Sequence, residues 1–164
     1  MKRVFLGLGS NLNAEENLAA GIQRLASELT LINESPWYRS PALGFDGPEF
    51  INLVLEIQVD DALSPERLSQ QLKQIEMDFG RAPDAMKYSS RHLDIDILLF
   101  GDVVGEFATD SSRFILPRED IWKYAFVLTP LLDIAPDLIC PKHQQSLSEF
   151  KGNIQDQSLA LVEK

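Results

Sequence analysis

Near the start of the chain, Val4, Leu6 and Leu8 alternate with small or apolar neighbours, and Gly9-Ser10-Asn11 ends the run. That period of two predicts a buried strand. Over residues 14–29 the period lengthens, and Leu18, Ile22, Leu25, Ala26 and Leu29 fall on one helical face. Asn13 stands where it can cap this helix, with Glu16 three positions on. A strand is expected over residues 31–39. It leads into Ser40-Pro41-Ala42-Leu43-Gly44-Phe45-Asp46-Gly47-Pro48, whose prolines and glycines mark irregular backbone. Strict alternation returns from Phe50 to Val59. Ile51, Leu53, Leu55, Ile57 and Val59 share one face; Phe50, Asn52, Val54, Glu56 and Gln58 share the other.

A second helix is clearly punctuated. Ser64 caps it, Pro65 takes the first turn, and Leu63 can staple onto Leu68. Its stripe is Leu68, Leu72, Ile75 and Phe79, and Gly80 is a natural stop. A polar loop over residues 81–90 carries no apolar period. A strand over residues 92–100 follows, then hairpin-like sequence through Gly101-Asp102. A strand near 114–116, a helical turn at 117–124 and an apolar segment at 126–134 come next. The polar stretch after Lys151 reads as a mobile tail or an edge element. Strand, helix, strand, strand, helix, strand is the order of a ferredoxin-like α/β sandwich, with helices packed on a mainly antiparallel sheet. No repeat or linker interrupts it, so one domain is expected over residues 1–164.

Composition narrows the function. A net charge of −10 lacks the basic footprint of a nucleic-acid binder. The single cysteine, Cys140, allows no intrachain disulfide, fits a reducing compartment, and sits in an apolar run that suggests packing. His92 and His143 are far apart, and no CxxC or HxxxH spacing points to zinc. No stretch approaches the ~20 apolar residues of a membrane span. The basic-then-apolar start is too short for a signal peptide. A cytoplasmic protein without membrane or nucleic-acid partners is expected.

The chemistry concentrates in Arg91-His92-Leu93-Asp94-Ile95-Asp96-Ile97-Leu98-Leu99-Phe100. On a strand Asp94 and Asp96 point the same way, ~6.6 Å apart along the backbone, while Leu93, Ile95 and Ile97 point into the core. Such a pair is either the acidic outer face of a half-exposed strand or a grip for hard cations such as magnesium. Like charges on one face repel, and aspartate is depleted in strands, which favours the cation. Arg81 and Arg91 bracket the preceding polar loop, and arginine donors suit phosphate oxygens. Gly7-Leu8-Gly9-Ser10-Asn11 is neither GxGxxG nor a P-loop, so any phosphate chemistry rests on metals and arginines. Phe50 and Phe126 suit either a slot for a flat ligand or the core.

Taken together these segments resemble the 6-hydroxymethyl-7,8-dihydropterin pyrophosphokinase family. The residues that carry the likeness are Gly9-Ser10-Asn11-Leu12, Tyr38-Arg39-Ser40-Pro41, Phe50-Ile51-Asn52, Ile75-Glu76 with Gly80-Arg81, the segment from Arg91 to Gly101, and Phe126-Val127-Leu128-Thr129-Pro130-Leu131. The resemblance implies a monomeric enzyme that moves diphosphate from ATP to a dihydropterin alcohol. Asp94 and Asp96 would hold two Mg2+ ions, and Arg81 and Arg91 would act on the phosphates. Ser40, Pro41, Leu43, Phe50, Asn52 and Phe126 would hold the pterin. Lys73, Glu76, Tyr88, Arg91, Ile97, Arg113 and Arg118 would lie on the ATP side. Three positions depart from the family pattern: Arg118 where histidine is usual, Tyr124 where arginine is usual, and Lys73 where glutamine is usual. All three touch the ATP side, so a relative that binds pterin or nucleotide with altered or weak turnover is the competing expectation. An RNA-binding module, the third, lacks both the aromatic signature and the charge.

Overall fold

The computed structural model describes residues 1–42, 47–80 and 92–163. In chain order its main elements are β1 (Lys2–Ser10), α1 (Ala14–Glu28), β2 (Thr30–Glu34), β3 (Tyr38–Ser40), β4 (Phe50–Val59), α2 (Pro65–Asp78), β5 (Asp94–Phe100), β6 (Gly105–Ala108), β7 (Arg113–Leu116), α3 (Asp120–Lys123) and α4 (Ala125–Ile134). The small strands β8 (Ile139–Cys140) and β9 (Gln145–Ser146), a 3-10 helix (Leu147–Ile154) and β10 (Ala160–Leu161) complete it. The sheet runs β10-β3-β4-β1-β5, with β2 also paired to β4, and its pairings are antiparallel. The first and third strands of the βαββαβ unit, β1 and β4, are therefore the central pair, with β5 on one side and β2 and β3 on the other, as in the ferredoxin-like sandwich.

Alternation gives the sheet two unlike faces. Val4, Leu6, Leu8, Ile51, Leu53, Leu55, Ile57, Ile95 and Ile97 pack with Leu18 and Leu25 of α1 and Leu68, Leu72 and Ile75 of α2. Fully burying one such side chain is worth about 1.5–3 kcal/mol. On the other face Phe5, Val54, Leu98 and Leu99 pack with Ile121, Val127, Leu128, Leu131, Leu147 and Phe150. That second core covers only one end of the face; the other end bears Asn52, Asp94 and Asp96, none fully buried.

Several local expectations change. Asn13 does not cap α1: its backbone is left-handed (φ 46°) and its side chain makes no cap bond. Instead Asn17 Nδ2 donates to the Leu12 carbonyl oxygen at 2.6 Å. Ala26 is exposed, and Gly21 takes a place in the buried stripe. A Cβ on Gly21 would sit 2.9 Å from Leu93 Cδ2, so glycine is what lets α1 approach the lead into β5. Ser64 does cap α2, accepting from the Arg67 N–H.

The strand expected over residues 31–39 is two strands. Pro36 has no N–H to continue a ladder. Ser35 bridges the gap: its N–H donates to the Val54 carbonyl at 2.9 Å, and its Oγ accepts the Val54 N–H at 2.8 Å. The strand expected from residue 92 begins at Asp94. Gly101 (φ 55°) turns the chain off the sheet rather than into a hairpin with β5, and β6 pairs with β7. The stretch after Lys151 is an edge element: β10 pairs with β3, and Val162 N–H donates to the Trp37 carbonyl. Cys140 is buried in the second core, as its apolar neighbours suggested.

One irregularity shapes β5. Phe5 pairs with Leu99 but Leu6 with Ile97, which leaves Leu98 as an extra, bulged residue. Leu98 and Leu99 both reach the second core, and Phe100 returns to the first.

Candidate active site

Register builds the site. Tyr38 pairs with Asn52, Asn52 with Gly9, and Gly9 with Asp94, so four strands contribute one row of residues. The next row is Val54, Gly7 and Asp96. Neighbouring strands lie ~4.8 Å apart, so Asn52 and Asp94 stand about 9–10 Å apart across the glycine. Gly7 and Gly9 thus floor a trough with the asparagine on one bank and the carboxylates on the other. Side chains fill the space above both glycines: a Cβ on Gly9 would lie 2.6 Å from Asn52 Nδ2 and displace it, and one on Gly7 would lie 3.3 Å from Leu98 Cδ2.

On the asparagine bank, Ser40 is buried opposite Phe50, and its Oγ lies 3.5 Å from Asn52 Oδ1. A hydroxyl donating there leaves the Asn52 NH2 group facing the trough floor. Asn11 Nδ2 donates to the Pro48 carbonyl at 3.1 Å, anchoring the segment before Phe50. Helix α4 lies over β3 and β4 and carries Phe126 in its first turn. The Tyr38 hydroxyl donates to the Asp133 carboxylate on α4, a short bond that ties this helix to the row. Burial and that carboxylate push the Tyr38 phenol up to about 12. Phe126 stacks on Tyr124, with centroids 5.0 Å apart and planes 16° apart.

On the acidic bank, burial first and the Asp94 charge second push the Asp96 carboxyl up to about 7; Arg118 and Lys73 pull the other way. Asp96 is still about 30% exposed, so it faces the trough rather than the interior. Two carboxylates that resist being charged together form an oxygen donor set with a deficit of positive charge. That is the chemistry a hard dication satisfies. Among the described residues no group of three or more His, Cys, Asp or Glu gathers to hold a metal. Such a sparse set suits Mg2+, which keeps waters and shares its remaining positions with substrate phosphates.

Arg118 meets this bank from the side. Its backbone N–H donates to the carbonyl of the bulged Leu98 at 2.9 Å. Its guanidinium reaches Asp96 Oδ2 at 3.6 Å and Asp120 Oδ2 at 3.1 Å. Burial opposes its charge, but Asp96 and Asp120 more than offset that, and its pKa lies above the ordinary range. Beyond it a cleft of about 600 Å³ opens between the β6–β7 hairpin and α3, lined by Arg113 and Arg118, by Glu106, Glu119 and Asp120, and by Phe114.

Two residues expected on the ATP side have buried side chains. The Ile97 side chain lies in the first core, 6% exposed, facing away from the aspartates. Glu76 is 1% exposed; its Oε2 accepts the Ile95 N–H at 2.7 Å, and its Oε1 lies 3.5 Å from Lys73 Nζ. It therefore braces the outer edge of β5 between the two aspartates. Arg81, Tyr88, Arg91 and Leu43 lie outside the described residues. The asparagine–glycine–aspartate row, Asp120 and the Tyr38–Asp133 bond were not anticipated. Only the two glycines in an otherwise apolar strand hinted at the first.

A ferredoxin-like sheet with paired aspartates beside a glycine-floored trough, and an arginine-bearing cleft next to them, defines an α/β enzyme of phosphoryl-group chemistry. The model of the 7,8-dihydro-6-hydroxymethylpterin-pyrophosphokinase (HPPK) family matches residues 5–136, and the chain belongs to that family. Curated relatives agree. The 2-amino-4-hydroxy-6-hydroxymethyldihydropteridine pyrophosphokinase of Haemophilus influenzae is 35% identical over 88% of this chain and 88% of its own length. That of Pseudomonas aeruginosa is 40% identical over 86% of this chain and 85% of its own. Among solved structures, Plasmodium falciparum HPPK-DHPS superposes with a TM-score of 0.71 at 13% identity. It is matched over 93% of this chain but only 43% of that one, a likeness of fold.

Proposed function

We propose that this chain is a working pyrophosphokinase. It transfers diphosphate from ATP to 6-hydroxymethyl-7,8-dihydropterin and releases AMP, a step of folate biosynthesis. The observation that carries the proposal is the row Asn52–Gly9–Asp94: a recognition amide and a cation-seeking carboxylate stand about 9–10 Å apart across a glycine, a span that suits a flat bicycle with its hydroxymethyl arm toward the acid.

On the asparagine bank, Ser40 and Asn52 hydrogen-bond the pterin edge, with Pro41 beside it; Leu43 belongs to the pterin site, as the family resemblance implies. Phe50 and Phe126 take its two faces. On the acidic bank Asp94 and Asp96 would hold two Mg2+ ions. Bound there, Mg2+ supplies charge neutralisation on the polyphosphate. Arg118 and Arg113 lead into the cleft that takes the nucleotide, with Lys73 near the carboxylates; Tyr88 belongs to the ATP side, as the family resemblance implies. Arg81 and Arg91 act on the phosphates, as the family resemblance implies. The hydroxymethyl oxygen attacks the β-phosphorus and gives up its proton to solvent, the bond from that phosphorus to the α–β bridging oxygen breaks, and AMP departs with the electron pair. Holding the two reactants in line supplies much of the rate. The enzyme acts as a monomer in the cytoplasm.

The test is AMP formation from ATP, Mg2+ and the dihydropterin alcohol. No AMP above a protein-free control, with correctly folded protein, rejects the proposal. Arg118 favours one competing outcome: a guanidinium already paired with Asp96 competes with a cation for it. In that case calorimetry registers pterin binding while AMP stays at background.

A further inference from the structure

Helix α4, which carries Phe126, starts without a cap of its own. Tyr124 occupies the flanking position and makes no side-chain cap bond, since a phenol has no acceptor that can fold back on the first turn. The preceding helix α3 ends at Lys123, one residue away, and its last carbonyl likewise needs a partner. A single distant side chain answers both needs. Gln157 Oε1 accepts the Ala125 N–H at 2.7 Å, and Gln157 Nε2 donates to the Lys123 carbonyl at 2.6 Å. Four residues earlier, Asn153 Nδ2 donates to the Trp122 carbonyl at 3.1 Å. The amide of Gln157 thus brackets Tyr124 from both sides along the backbone, and Tyr124 is the residue whose ring stacks on Phe126.

We infer that Gln157 is a positioning residue of the pterin site, acting through the α3–α4 junction to set the Tyr124–Phe126 pair. The family model ends at residue 136, so Gln157 lies outside the matched region while the junction it bonds lies within it. Gln157 is itself solvent-exposed, so its contribution to stability is limited to the two hydrogen bonds it makes. Its effect falls on the angle at which α4 leaves the junction. The inference rests on Phe126 being one wall of the pterin site.

The experiment is a double-mutant cycle of Gln157→Ala and Phe126→Ala, read as the calorimetric Kd for 6-hydroxymethyl-7,8-dihydropterin, the KM for ATP and the melting temperature. Gln157→Ala is expected to weaken pterin binding about five- to tenfold, through the displaced Phe126 ring. ATP KM stays near wild type, and the melting temperature falls by the few degrees that a lost helix cap costs. In the Phe126→Ala background the same substitution has little further effect, because the ring it positions is gone. If Phe126→Ala leaves pterin affinity unchanged, the wall assignment fails and the inference falls with it. If Phe126→Ala weakens pterin binding and Gln157→Ala does not, the wall stands and the inference alone is overturned. Equal losses in pterin and ATP, or full additivity of the two substitutions, overturn it as well.

Discussion

Arg118 Nη2 lies 3.6 Å from Asp96 Oδ2, while its Nε is held 3.1 Å from Asp120. The guanidinium is therefore anchored by Asp120 and can release Asp96 without losing its place. Arg118→Ala should raise the ATP KM by about tenfold or more, the scale of a lost charge-assisted hydrogen bond. Asp120→Asn should give a smaller rise in the same constant. Initial-rate kinetics with varied ATP checks both; an unchanged KM in Arg118→Ala removes the residue from the nucleotide side.

Asp94→Asn and Asp96→Asn should each lower kcat at least about a hundredfold, more than the loss of an outer partner of a metal site usually costs. Far-UV circular dichroism should be unchanged. Wild-type turnover in either variant would refute the metal assignment.

The Asp96 proton also makes a stability prediction. Its carboxyl moves from 3.8 to about 7 on folding. A raised acid contributes stability that is complete below the unfolded value and is lost as pH climbs through the folded one. Without Mg2+, Asp96→Asn should therefore melt higher than wild type at pH 8, by about 2–4 °C per kcal/mol relieved. The two proteins should converge near pH 4. Adding Mg2+ at pH 8 should stabilise the wild type and not the variant. A variant that melts lower at pH 8 contradicts the direction.

Glu76→Ala removes the acceptor of the Ile95 N–H and strands a buried donor, a cost of about 1–3 kcal/mol. Amide exchange at Ile95 should accelerate selectively, and the Mg2+ concentration for half-maximal activity should rise. Glu76→Gln keeps an acceptor and should recover most of both properties. Protection at Ile95 that survives Glu76→Ala would disprove the brace.

Gly9→Ala places a methyl where Asn52 Nδ2 now sits, 2.6 Å from it. Either the asparagine turns away or the strands part. Pterin KM should rise about tenfold while ATP KM holds, which steady-state kinetics distinguishes.

How much of this could be read in the sequence depended on distance along the chain. The facing of Asp94 and Asp96 follows from a period of two within one strand, and the stripe and cap of α2 follow from its own residues. Asn13 misled because composition shows that it can cap, not that its backbone turns left-handed. The break at Ser35-Pro36-Trp37 escaped because the Ser35 hydroxyl continues a ladder whose other half is Val54. The trough needed the registers of three strands at once. Glu76 could be placed near Ile95 only once α2 was packed against β5. Ile97 was assigned to the ATP side by resemblance, although the alternation that turns Asp96 outward turns Ile97 inward.

Leu98, the surplus residue of β5, has a consequence for how this strand can vary. In a chain lacking it, Asp94, Asp96, Leu99 and Phe100 would all keep the sides they now occupy, so the parity of the strand does not require it. Beyond one leucyl side chain in the second core, what such a chain would forfeit is the outward carbonyl on which the Arg118 backbone hangs. The insertion is thus a seat for a neighbouring loop. A deletion there should leave the domain folded and its cation-facing pair intact, yet uncouple the arginine from it.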